Sequence, residues 1–83
     1  MEDHRLDARG LRCPLPVLRA RKVLAGLADG ARLTVVATDP RAPVDFNAFC
    51  RSGGHRLEES KQEGNEIILI LRKGGGKDSA ADP

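Results

Sequence analysis

Apolar side chains recur along this chain in different rhythms, and each rhythm predicts an element. Val17, Leu18, Ala20, Leu24, Leu27 and Ala28 follow at helical spacing while Arg19, Arg21 and Lys22 fall largely on the other side, which predicts an amphipathic helix. Pro14 and Pro16 would break a helix interior but fit a first turn, where the missing N–H groups have no partner anyway. Cys13 is therefore expected to be the N-cap, with Asp29-Gly30 as the stop. Residues 33–38 are apolar and β-branched, the pattern of a central strand, and Asp39-Pro40 closes them. A second helix is predicted to open at Ala42-Pro43-Val44-Asp45, to carry Phe46, Phe49 and Cys50 on one face, and to stop at Gly53-Gly54.

Residues 55–63 and 66–72 are extended in character around Gly64-Asn65, as in a β-hairpin, and the first is polar enough for an edge strand. A short strand over residues 5–8 completes the order β-α-β-α-β-β. The expected fold is an α/β two-layer sandwich, a four-stranded mixed sheet with both helices on one face. One domain, residues 5–73, accounts for all of this pattern. Residues 74–83 begin Gly74-Gly75-Gly76, show no apolar periodicity, and are expected to form a flexible tail.

Composition narrows the function classes. Eighty-three residues suit one small module, and 40% hydrophobic with 31% charged residues is ordinary for a globular chain. Phe46 and Phe49 are the sole aromatics, too few for a base-stacking surface. No apolar run approaches the roughly 20 residues of a membrane span, and the charged residues 1–9 lack a secretory apolar stretch, so a cytoplasmic location is expected. Cys13 and Cys50 are the only cysteines and are expected as free thiols. The net charge is only +2, yet residues 5–22 hold Arg5, Arg9, Arg12, Arg19, Arg21 and Lys22 against the single acid Asp7.

Chemistry concentrates at Cys13. A thiol at a helix N-terminus meets the positive end of the macrodipole and unpaired N–H groups, and Arg12 adds a cation. Together these predict a pKa of about 7 to 7.5, low enough for a nucleophile at neutral pH. Thioredoxin-type exchange needs a second cysteine in Cys-x-x-Cys, which is absent here. Cysteine hydrolysis needs a base, and neither His4 nor His55 is evidently placed for it. The scattered cysteines and histidines lack the paired spacing of a zinc site, so neither metal nor cofactor is expected. A thiol that accepts and hands on a group held by its own sulfur is left.

The motif Gly10-Leu11-Arg12-Cys13-Pro14-Leu15-Pro16, preceded by Leu6-Asp7 and followed by Thr38-Asp39-Pro40, Phe49-Cys50 and Gly54-His55, resembles the TusA (SirA-like) sulfur carriers. The resemblance extends from about Leu6 to Lys73. It implies a two-layer sandwich like the C-terminal domain of a bacterial translation initiation factor, and a persulfide carried on Cys13. It also implies a donor protein, a cysteine desulfurase or a rhodanese, and a downstream acceptor in transfer-RNA thiolation, molybdenum-cofactor maturation or sulfur oxidation. Gly10, Leu11, Arg12, Pro14 and Pro16 match the motif around the acceptor cysteine.

Other residues carry plainer expectations. Cys50 is expected in the core beside Phe46 and Phe49, and Asp39 and Asp45 as cap or first-turn residues. His55 is expected to be structural or exposed. Arg19, Arg21 and Lys22 offer a basic face for an acidic partner. A rival reading is a regulatory module that binds protein or RNA through the basic residues 5–22, with Cys13 incidental; a monomer is expected in either case.

Overall fold

The computed structural model describes residues 3–74 and shows the expected order: β1 (Asp3–Ala8), α1 (Leu15–Ala25), β2 (Arg32–Ala37), α2 (Ala42–Gly53), β3 (Arg56–Glu63) and β4 (Glu66–Arg72). The strands form one sheet in the order β1-β2-β4-β3. β1 runs parallel to β2, and the two remaining pairings are antiparallel. The sheet is mixed because a helical crossover returns β2 in the direction of β1, whereas a two-residue turn at Gly64-Asn65 folds β3 back on β4. The expected tail lies outside the described residues apart from Gly74.

Strand alternation sorts the side chains onto two faces. Leu6, Val35 and Leu69 stand in one row and Ala8, Ala37 and Ile67 in the next, all toward the helices. Ala20 and Leu24 from α1 and Ala42, Phe46 and Cys50 from α2 close over them in a single core, so both helices cover the same face. Phe46 is fully buried and is the largest side chain at its centre. On the open face Thr34 pairs with Ile70 and Val36 with Ile68, bordered by Arg5, Asp7, Glu59 and Lys61. β3 is almost wholly exposed, as its polar sequence predicts for an edge.

Several boundaries differ from the sequence reading, each for a local reason. β1 starts at Asp3 because pairing with Arg32 and Leu33 of β2 extends it past Arg5, so His4 is half-buried in a strand rather than in a frayed start. α1 stops at Ala25: Gly26 and Leu27 make shorter bonds to Val23 and Leu24, and a glycine is a poor helix former. Leu27 still packs on the core, although it has left the helix. α2 ends as expected, with Gly54 at φ 76° donating its N–H to the Cys50 carbonyl, the left-handed stop that glycine favours. The register between β3 and β4 shifts between Leu57 and Glu59, and the extra residue, Glu58, turns to meet Arg32 and Arg72.

Candidate functional site

Parallel neighbours end at the same side of a sheet, so the loops that follow β1 and β2 meet there, and both helices begin from them. Cys13 lies in the first of these loops, partly exposed. Gly10 makes the turn out of β1 at φ 81° and donates its amide to Thr38 Oγ1 at 2.9 Å, which ties the first loop to the second. Leu11 packs against the core and anchors the loop from beneath. Arg12 stays exposed and borders a shallow cleft with Gly10, Leu11, Thr38, Asp39 and Pro40.

The firmest tie is Asp39. Its Oδ2 accepts the Cys13 amide at 2.6 Å and its Oδ1 accepts the Arg41 amide at 2.9 Å, so one carboxylate holds the thiol-bearing residue and the approach to α2 together. These two bonds hold the Asp39 carboxyl below its ordinary range. Asp39 thus acts as a bridge between loops rather than as the helix cap expected from sequence. Asp45 occupies the first turn of α2, as expected, and its carboxylate acts electrostatically on the Cys13 thiol.

Two expectations about Cys13 are corrected. It is not the N-cap: Pro14 caps α1, the helix begins at Leu15, and Pro16 is the buried second residue. The Leu15 amide bonds the Arg12 carbonyl at 2.8 Å, so a turn spanning Cys13 and Pro14 precedes the helix and sets the sulfur one position farther from its end. The Cys13–Pro14 peptide is cis. The thiol pKa is raised, not lowered: the Asp45 carboxylate favours the protonated thiol most, partial desolvation and the charge of Asp39 add to it, and Arg41 opposes it. The carboxylates come from the loop after β2 and from the first turn of α2.

Cys50 follows expectation. It is 3% exposed, lies in the core with Phe46, and burial pushes its thiol up to about 11. His55 packs against Phe49 with ring centroids 5.4 Å apart and accepts the Gly74 amide at Nδ1, 3.1 Å away, a structural position. Among the described residues, no group of three or more His, Cys, Asp or Glu is arranged to hold a metal ion, and no helix is long and apolar enough to cross a membrane. Arg19 and Lys22 line a groove with Leu6, Leu15, Leu18 and Val23 along α1, whereas Arg21 is exposed outside that lining. Leu15 and Leu18 are about half exposed there, an apolar strip that the sequence reading missed by assigning Leu18 to the buried face.

Carboxylates across the molecule set its acid behaviour. Asp7 is lowered to about 2 by Arg9, and Asp39 and Glu58 are lowered by their backbone and arginine partners. A carboxyl whose folded pKa lies below its unfolded value, ordinarily about 4, contributes stability above that value and loses it as pH falls through the folded one. The melting temperature is therefore expected to be level from pH 7 to 5 and to fall from pH 4 toward 2. The fall should be modest and smaller in high salt, because these groups are near solvent. A melting temperature unchanged between pH 6 and 2 would contradict the assigned contacts.

Comparison with known proteins places this geometry in context. The family model described as Sulfurtransferase TusA matches residues 4–73. The sulfur carrier protein TusA of Allochromatium vinosum is 48% identical over 71 residues, covering 86% of this chain and 93% of that protein. The crystal structure of a SirA-like protein from Desulfitobacterium hafniense superposes with a TM-score of 0.76 at 27% identity, over 86% of this chain and 97% of that one. Matched by the family model over nearly all its described residues, and by a curated carrier at close to half identity, this chain belongs to the TusA family of sulfur carriers.

Proposed function

We propose that the protein accepts sulfane sulfur as a persulfide on Cys13 from a cysteine desulfurase or a rhodanese and relays it to a downstream acceptor. The observation that supports this best is the contrast between its thiols: Cys13 is partly exposed on a loop fixed by Thr38 and Asp39, whereas Cys50 is buried. In loading, the Cys13 sulfur forms a bond to the outer sulfur of the donor persulfide, and the donor's S–S bond breaks. The donor sulfur leaves with the electron pair and receives the proton given up by Cys13. A thiol and a persulfide exchange roles, with no net oxidation and no cofactor. Unloading is the same exchange with an acceptor thiol.

Gly10 and Leu11 fix the loop, Pro14 and Pro16 stiffen its entry into α1, and Arg12 borders the cleft. Transfer-RNA thiolation, molybdenum-cofactor maturation and sulfur oxidation are the candidate destinations in the cytoplasm, and residues 5–73 form the carrier module, acting as a monomer. The RNA-binding alternative gains no support, because both phenylalanines belong to α2 and none lies on the sheet. A label-transfer experiment tests the relay: protein loaded with isotopically labelled sulfur should pass it to an acceptor thiol. Label that is lost only to solvent, with none on the acceptor, would overturn the relay.

The groove along α1 is the proposed docking face. Leu15 and Leu18 supply apolar area, and Arg19, Arg21 and Lys22 supply charge for an acidic protein surface. Reversing these three charges is expected to spare loading by a small polysulfide and to slow loading by a protein donor about tenfold or more at low ionic strength. Equal losses with both donors would mean that the basic residues act on the thiol itself and not on docking.

A further inference from the structure

The two edges of the sheet are built differently. β3 is interrupted by the extra residue Glu58 and is charged at most of its positions, two features that keep an edge strand from pairing further. β1 keeps an unbroken register with β2 from Asp3 to Ala8 and contains no proline, glycine or bulge. Its opposite edge pairs with no strand among the described residues, so N–H and C=O groups point outward there. Strand alternation puts Asp3, Arg5 and Asp7 on the open face and Leu6 and Ala8 on the helix side.

The space outside β1 is already roofed. Leu6 shares a row with Val35 and Leu69, which are fully buried, but stays partly exposed because it stands at the sheet margin. Above it, α1 turns Pro16, Ala20 and Leu24 to the core and a second stripe outward: Leu15, Leu18, Arg19, Lys22 and Val23 line a groove of about 700 Å³ with Leu6. Neighbouring strands lie about 4.8 Å apart, so a strand laid along β1 would direct every second side chain into this groove. Two cations and no acid line it. One end of such a strand would lie beside Ala8, where the chain continues into the loop that carries Cys13.

Composition and charge select the occupant. Residues 75–83 have no apolar side chain other than alanine and proline, too little to fill the groove. A second copy joined β1 to β1 in one continuous sheet would keep all helices on one side and bring two sets of Arg19 and Lys22 together. We propose that the β1 edge and the α1 groove receive an extended segment of a protein partner, apolar where it faces Leu6, Leu18 and Val23 and acidic where it faces Arg19 and Lys22. The segment adds to the sheet as a fifth strand beside β1 and leads toward Cys13. This rests on the docking face proposed above and states how the partner is held: main-chain bonds along β1 give affinity and register, and the two cations select charge.

The test uses the isotopically labelled full chain and end-blocked peptides of at least the six-residue length of β1, with valine and glutamate at alternate positions and threonine between them. Titration followed by amide NMR should move Leu15, Leu18 and Lys22, and hydrogen exchange should slow at those β1 amides that do not bond β2. Lysine in place of glutamate in the peptide should weaken binding about tenfold or more at low ionic strength. N-methylation of alternate peptide amides, tried in both registers, should weaken it by about the same factor in the register that pairs with β1, although the side chains are unchanged. Lys22→Glu, on an exposed helix position, should weaken the glutamate peptide with a melting temperature within a few degrees of wild type. Shifts in the groove with β1 exchange unchanged and both methylated peptides bound equally would overturn strand addition and leave the docking face standing. Absence of binding by every peptide, or shifts confined to other surfaces, would overturn it too. Slowing of β1 exchange by raised protein concentration alone would give the edge to a second copy and contradict the proposal. The carrier reading stands or falls separately, on sulfur uptake from polysulfide, which needs no partner strand.

Discussion

Cys13→Ser is expected to take up no sulfur from any donor while keeping the fold and melting temperature of the wild type. The residue is partly exposed on a loop, makes its structural bond through its backbone amide to Asp39, and contributes no side chain to the core. Serine keeps that amide and is close to cysteine in size, so the surface change should cost less than about 0.5 kcal/mol. The chemistry has no such tolerance. A hydroxyl is a far weaker nucleophile and does not carry sulfane sulfur, and the remaining thiol, Cys50, is 3% exposed with its pKa raised to about 11. Mass spectrometry after incubation with polysulfide reads the outcome directly. Full sulfur uptake by Cys13→Ser would remove Cys13 from its assigned role.

Phe46→Ala is expected to unfold most of the protein. Phe46 is fully buried and packs where both helices meet the sheet, in a core otherwise made of aliphatic side chains and Cys50. Truncation of a buried phenylalanine costs about 3–5 kcal/mol through lost transfer energy and the cavity left behind. A module with about 70 ordered residues has roughly 4–11 kcal/mol in total, at about 0.05–0.15 per residue. The substitution consumes a large part or all of that margin. Circular dichroism should show a melting temperature lowered by about 15 °C or more, or no cooperative transition. A loss of only a few degrees would mean that the core centre has been misassigned.

Much of the fold was legible because its signals are local. Apolar spacing marked α1 and α2, the polar character of residues 55–63 marked β3 as an edge, and Gly54 marked the end of α2. The order of the strands was not, since no short segment records that β4 inserts between β2 and β3. The extra residue at Glu58 was equally hidden: it forms ion pairs with Arg32 and Arg72, which lie on two different strands. At the site, the Gly10 to Pro16 motif drew attention to Cys13, which is the partly exposed thiol of the two. Its electrostatics were misread because the helix-dipole argument considers one helix only. Asp39 and Asp45 arrive from the next βα unit, and they decide the sign of the shift. The meeting of two parallel strand ends, implicit in β-α-β order, was the available clue that a second loop would adjoin the cysteine.

Cys13 as the seat of the transferred sulfur is tested most directly by peptide-level mass mapping of the wild-type protein after incubation with a cysteine desulfurase and cysteine. The account predicts added sulfur, removable by a reductant, on the peptide bearing Cys13, with none on the peptide bearing Cys50. Labile sulfur on Cys50 with Cys13 unmodified would contradict it.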